Sequence, residues 1–305
     1  MVSYLKCSDG FSPVKEWTPG CWVNVETPAT DELDSLKSSF GLPEDFLNDI
    51  SDIDERPRVE SNDGWTCIVL RIPVEGDDIP FATVPLGVMV KDDYVVTVCF
   101  YHNTLIADFI NHTQKRHTPI VTASDFILRL LKSSAYWYIR YLKDVKNIVA
   151  GAESELRRSI RNEDLLKLMN LQKTFVIFAT SISGNNILLD RINRLYGQSL
   201  DKELFEDVSI ELRQADSTVT IATQMLDRTL DTYASVISNN VNAIMKRLTS
   251  ISLILMIPTL IASFYGMNVD VGISMENHWA FGCIVGTGFI LAAITCLWLR
   301  IIKWL

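Results

Sequence analysis

The sequence predicts an α+β domain followed by a long-helix stalk and two transmembrane helices. Three observations carry that expectation. Up to about residue 120, alternating or Val/Ile/Thr-rich runs are punctuated by Gly and Pro. From Thr122 apolar residues recur at helical spacing, and no proline occurs between Pro119 and Pro258. The last 58 residues hold two uncharged apolar segments, 248–265 and 279–299. Each is near the roughly 20 residues needed to cross a bilayer. The expected division is an α/β domain over 1–121, a helical stalk over 122–247, and a transmembrane hairpin over 248–305 with a connecting loop at 266–278.

Residues 20–28 alternate apolar and polar between Gly and Pro, as a half-buried strand does. Thr30 reads as a helix cap, followed by acids in the first turn and leucines three apart. Gly41-Leu42-Pro43 stops that helix. Pro43–Ile50 reads as a second short helix. Trp65–Ile72, Ala82–Val90 and Tyr94–Phe100 read as strands, the last two joined by a turn at 91–93. Leu105–Asn111 reads as helical. Trp22 and Trp65 fall on strands and are expected in the core. Beyond Thr122 the helical pattern admits breaks near Gly151 and near Gly184–Asn186 or Gly197. From Asp201 a stripe continues from Leu204 through Val208, Leu212, Leu226 and Ile237 to Ile244. Continued to Tyr265, it makes a helix of about 65 residues, roughly 100 Å at 1.5 Å per residue. Such a helix calls for neighbouring helices rather than burial in one small domain.

The hydrophobic fraction is 48% and the mean hydropathy +0.16, with the excess at the C-terminus. From Leu248 onward the charges Asp270, Glu276, Arg300 and Lys303 cancel, so the net −9 belongs to residues 1–247. An acidic domain repels nucleic acid and attracts cations, and an ordinary solvated surface accounts for the same balance. The six cysteines form no C-x-x-C pair and are expected as reduced thiols. His102, His112 and His117 lack cysteine partners and zinc spacing. There is no GxGxxG, Walker A or HExxH motif, and the N-terminus has no apolar signal region.

Lys246 and Arg247 precede the first span, Arg300 and Lys303 follow the second, and the loop carries no Lys or Arg. The positive-inside rule then puts both termini in the cytoplasm, with the loop outside. Stepping along the first span by three and four residues gives Asn242, Met245, Thr249, Ser252, Met256, Thr259 and Ser263, one face of amide, hydroxyl and thioether groups. Packing between helices and a pore lining both use such residues. Two spans cannot enclose a pore, so a pore lining requires several chains around one axis. The acidic part is then a funnel or sensor rather than an enzyme.

Tyr265-Gly266-Met267-Asn268, after a spanning helix and before a short outer loop and a last helix ending in Lys/Trp/Leu, resembles the CorA family of divalent metal ion (magnesium) channels. Residues 41–60, with the run Arg56-Pro57-Arg58-Val59-Glu60, resemble the family's cytosolic segment. The resemblance implies a homopentamer with a cytosolic funnel in a plasma or inner membrane. It implies Mg²⁺ as cargo and as regulator, with Co²⁺ or Ni²⁺ as alternative cargo, and no nucleic acid or small-molecule substrate. Gly266, Met267 and Asn268 would form the selectivity filter, while Gly266 and Asn268 are also common at helix C-caps. Asn242, Met245, Leu248, Met256 and Thr259 fall where such pores narrow. Asp270 and Glu276 would add negative charge at the outer mouth. Asp49 and Asp231, with Asp207 as a second position, match carboxylates that bind regulatory Mg²⁺ between subunits; Asn48 stands where a partner acid is expected. Met275-Glu276 lacks the usual intervening proline, Pro258 is shifted by one, and Ser263 replaces a glycine. The rival readings are a transporter of Zn²⁺, Co²⁺ or Ni²⁺, and a non-conducting membrane-anchored scaffold.

Overall fold

A computed structural model describes residues 1–7, 10–92, 94–156, 162–267 and 278–304. Contacts divide the chain into two units, Met1–Thr229 and Leu230–Leu305.

The first unit is built on seven strands: β1 (Val2–Cys7), β2 (Phe11–Val14), β3 (Cys21–Glu26), β4 (Arg58–Asn62), β5 (Trp65–Glu75), β6 (Phe81–Lys91) and β7 (Tyr94–Cys99). They form one sheet in the order β2-β1-β3-β7-β6-β5-β4. The β3–β7 pair is parallel and every other pair antiparallel. Helices α1 (Thr30–Phe40) and α2 (Glu44–Asp49) cover one face, where Phe46, Leu47 and Ile50 join Val23, Val25, Val69, Val96 and Val98. The other face meets α3 (Leu105–Lys115), α4 (Ala123–Leu156) and α5 (Asn162–Tyr196). There Phe11, Trp22, Phe109 and Phe126 pack as tilted and edge-on rings.

The α1 and α2 expectations hold, with one correction. Thr30 is the first helical residue, and the cap position is Ala29, whose N–H donates to the Glu32 carboxylate at 3.1 Å. Gly41 ends α1 at φ +63°, where a side chain would be strained. Trp22 and Trp65 are core residues as expected. The alternation over β3 does not produce a wet face, because helices cover both sides of the sheet. Asn24 is buried, and its Oδ1 accepts from Thr97 Oγ1 at 2.9 Å, while Trp22 Nε1 donates to that same hydroxyl at 2.8 Å. One shared hydroxyl satisfies two buried polar groups.

Neither Gly151 nor Gly184 breaks a helix. Helix α4 runs through Gly151 to Leu156, and α5 runs through Gly184 to Tyr196. The chain breaks at Gly197, in a 3₁₀ turn with φ +52°. Gly184 is a seat: a Cβ there would lie 2.8 Å from Pro57 Cγ, too close for any side chain. The next residue, Asn185, takes over along β5 where β4 stops, at the pair Arg58–Val69. Its Oδ1 accepts from the Arg71 N–H at 3.0 Å, and its Nδ2 donates to the Arg71 carbonyl at 2.7 Å. A valine at Gly184 should therefore cost about 1–3 kcal/mol by overpacking, despite its better helix propensity. Urea unfolding of the detergent-solubilised chain measures this, and equal or greater stability would contradict the seat.

Helix α6 runs from Lys202 to Tyr265, 64 residues, and contains the unit boundary. Its predicted stripe is buried from Leu204 to Leu226 in the first unit. In the second unit Tyr233 is buried, but Ala234, Val241 and Ile244 are exposed. Helix α7 spans His278–Ile301. Both α6 and α7 are long and apolar enough to cross a membrane.

Candidate functional site

Within Leu230–Leu305, α6 and α7 approach closely at Gly288, where a Cβ would sit 3.6 Å from Pro258 Cα. On α6, Ser250, Ile254, Ile257, Pro258, Ile261 and Tyr265 are buried or half-buried, while Gly288, Ala292 and Leu299 are buried on α7. At 3.6 residues per turn, that α6 face lies opposite the polar one. Asn242, Met245, Leu248, Thr249, Ser252, Met256, Thr259 and Ser263 are all exposed. Packing inside the hairpin thus uses a different face, and the polar stripe has no partner within this unit among the described residues.

Two of the stripe's four hydroxyls, those of Ser252 and Thr259, share an orientation. Ser252 Oγ donates to the Leu248 carbonyl at 3.0 Å, and Thr259 Oγ1 donates to the Leu255 carbonyl at 2.8 Å. Each spends its proton on its own helix four residues back, which leaves the oxygen lone pairs as its remaining polar function. The Gly266 N–H donates to Ala262 O at 2.9 Å, and the Met267 N–H to Phe264 O at 3.4 Å. Gly266 ends α6 without the left-handed turn a glycine cap usually makes, since its φ is not positive. Asn268, Asp270 and Glu276 lie outside the described residues.

Asp49 closes α2, whose seat is Gly87: a Cβ there would come 2.6 Å from Ile50 Cδ1. Arg58 Nη2 donates to Asp49 Oδ2 at 2.7 Å, Nε to Glu60 Oε2 at 2.9 Å, and Nη1 to Glu55 Oε1. Burial alone would lower the Arg58 pKa. Glu60, then Glu55 and Asp49, outweigh it and hold the guanidinium above its ordinary value. The sequence reading singled out Asp49 but not this cluster. Arg58 and Glu60 sit two apart on β4 and so share a face, which is the signal that could have pointed to it.

The loop between Asp49 and Arg58 is held from beneath by Arg71 on β5. Its Nη1 donates to the carbonyls of Ile53 (2.5 Å) and Glu55 (2.9 Å). Its Nη2 donates to Thr83 O at 2.6 Å, and its Nε to Thr83 Oγ1 at 3.0 Å. Arg71 is 9% exposed and has no carboxylate partner among the described residues. Burial away from water lowers its pKa below the ordinary arginine value. The group remains a cation stabilised by carbonyl dipoles.

Asp207 is already engaged: Lys132 Nζ lies 2.7 Å from its Oδ2. Asp231 is exposed on α6, and its carbonyl accepts from Ser235 Oγ at 3.0 Å. All six cysteines are free thiols. Burial pushes Cys67 and Cys99 up to about 12, which keeps them protonated and unreactive.

The family model for "CorA-like Mg²⁺ transporter protein" matches residues 19–301. The "Cobalt/magnesium transport protein CorA" of Methanocaldococcus jannaschii is 27% identical over 256 residues, covering 81% of this chain and 79% of the relative. The protein of the same name from Thermotoga maritima is 23% identical over 308 residues, covering 96% and 86%. Among solved structures, the complete CorA magnesium transporter of M. jannaschii superposes with a TM-score of 0.86 at 23% identity, covering 100% of this chain and 99% of that one. The agreement extends over the α/β part, the long helix and the apolar C-terminal helices.

Proposed function

The chain belongs to the CorA-like Mg²⁺ transporter protein family, and from that premise we propose that it passes hydrated Mg²⁺ into the cytosol as a homopentamer. The observation that carries the proposal is the polar face of α6, turned away from α7 and exposed along the whole first span. A face of amide, hydroxyl and thioether groups is costly against lipid, and a shared axis between subunits satisfies it. Asn242, Met245, Leu248, Thr249, Ser252, Met256, Thr259 and Ser263 then line the path. Gly266, Met267 and Asn268 form the filter, and Asp270 and Glu276 concentrate cations at its mouth. Residues 1–121 and 122–247 are the cytosolic domain and stalk, and 248–305 the hairpin in the plasma or inner membrane, with both termini cytoplasmic.

Mg²⁺ surrenders water reluctantly and prefers oxygen ligands, so a ring of amides and carbonyls can select it with its water shell in place. Co²⁺ is the second cargo; the two curated relatives described above are named cobalt/magnesium transport proteins. Uptake of Mg²⁺, Co²⁺, Ni²⁺ and Zn²⁺ into proteoliposomes tests the reading. Uptake of Mg²⁺ and Co²⁺ is expected, and no flux of any ion would return the chain to the scaffold reading.

Cytosolic Mg²⁺ bound between subunits at Asp49 and Asp231 closes the channel, and its loss opens it. Asp207 is a weaker second position, since Lys132 already neutralises it. Asp231→Ala should raise the Mg²⁺ concentration that protects the protein from protease by about 5-fold or more. An unshifted titration would remove Asp231 from the regulatory site.

A further inference from the structure

The Arg58 guanidinium divides its edges among three carboxylates from three places: Asp49 at the end of α2, Glu55 in the following loop, and Glu60 on β4. Three acids around one cation leave the cluster net negative. Asp49 is the most exposed of the four side chains at 48%, against 23% for Arg58. A cation arriving from solvent meets Asp49 first.

We infer that Arg58 is a built-in competitor for the metal at Asp49, and that it sets the Mg²⁺ concentration at which that position fills. The inference rests on the reading of Asp49 as a regulatory ligand. A guanidinium and a hydrated Mg²⁺ need the same resource, the lone pairs of the carboxylate. While Arg58 holds Asp49, the metal-competent fraction is reduced, and the apparent affinity falls by that fraction. Glu55 and Glu60 make the exchange reversible. When metal takes Asp49, Arg58 keeps two acid partners, so no charge is stranded. The cluster therefore holds the protein's own cation in reserve at the position the metal must claim.

The test uses the full-length protein in detergent, with protease protection titrated against MgCl₂. Arg58→Gln should lower the midpoint by roughly 3- to 5-fold. Arg58→Lys keeps the charge but cannot fork among three acids, so it should lower the midpoint by about 2-fold. Lys37→Gln removes a similar charge held by Asp34 and Glu44 in the same unit, and should leave the midpoint unchanged. An unchanged or raised midpoint in Arg58→Gln overturns the inference, as does an equal fall in Lys37→Gln. Should Arg58→Gln not assemble, Arg58→Lys decides, and no fall there counts against competition. Asp49→Asn separates the two layers. If it titrates like wild type, the reading of Asp49 as a ligand fails; if it shifts while Arg58→Gln does not, only the competition fails.

Discussion

Mg²⁺ uptake by Asn268→Ala should fall to the background of empty vesicles, while the oligomer still assembles. Asn268 follows the last described turn of α6, where Gly266 and Met267 still donate to helical carbonyls. A side-chain amide there offers one carbonyl acceptor and two N–H donors, and an ion that keeps its water shell is recognised through such groups. Alanine has neither. The loss is expected to exceed that from any single hydroxyl of the stripe, because an amide offers three hydrogen-bonding groups where a hydroxyl already bonded to its own helix offers only its lone pairs. A Mg²⁺-sensitive dye inside proteoliposomes reads the flux, and size-exclusion chromatography reads assembly. Wild-type flux from a correctly assembled mutant would sink the filter assignment.

Arg71→Met should lower the unfolding free energy by about 3–5 kcal/mol, the largest stability loss expected from a single side chain outside the apolar core. The substitution keeps much of the apolar stem but withdraws every donor. The carbonyls of Ile53, Glu55 and Thr83 would lose their charged partner together. Segment 52–56 would be freed first, and with it the register of Asp49 against Arg58. Urea denaturation measures the loss, and limited proteolysis mapped by mass spectrometry locates it. A loss below about 1 kcal/mol would mean that water replaces the guanidinium at those carbonyls. Arg58, on the wetter side of the same loop, should cost no more than about 1 kcal/mol when replaced, in keeping with partly exposed ion pairs. The two arginines thus divide the labour: one stabilises the loop, and the other sets its response.

The helices were the legible part of the fold. A 64-residue α6 follows from an uninterrupted apolar stripe free of proline as far as Pro258, which the helix accommodates, and α7 from an uncharged run flanked by aromatic residues and charge. The three strands that sequence reading missed, β1, β2 and β4, are short or polar, and β2 and β4 are the edges of the sheet. An edge strand has one unpaired side and tolerates Pro13 in β2 and charged Arg58 and Glu60 in β4. Those residues erase the alternation that would announce a strand. The Gly184–Asn185 pair misled for the opposite reason. It has the composition of a turn, but both residues serve a neighbour: the glycine makes room for Pro57, and the asparagine completes β5. In the candidate site, the polar face of α6 was readable because it lies on one helix. The Arg58 cluster was not, because its acids come from separate elements that only the fold gathers.

The backward-pointing protons of Ser252 and Thr259 bear on which sign of ion such a wall tolerates. Water around a cation turns its oxygens inward and its hydrogens outward; around an anion the order is reversed. These two hydroxyls have already given their hydrogens to helical carbonyls and can only accept, so each matches the outer hydrogens of a hydrated cation and meets the lone pairs of a hydrated anion. At those two levels of the span, discrimination by sign would then need no fixed charge, where a bare carboxylate would be costly to bury and would bind a divalent ion too tightly to let it go.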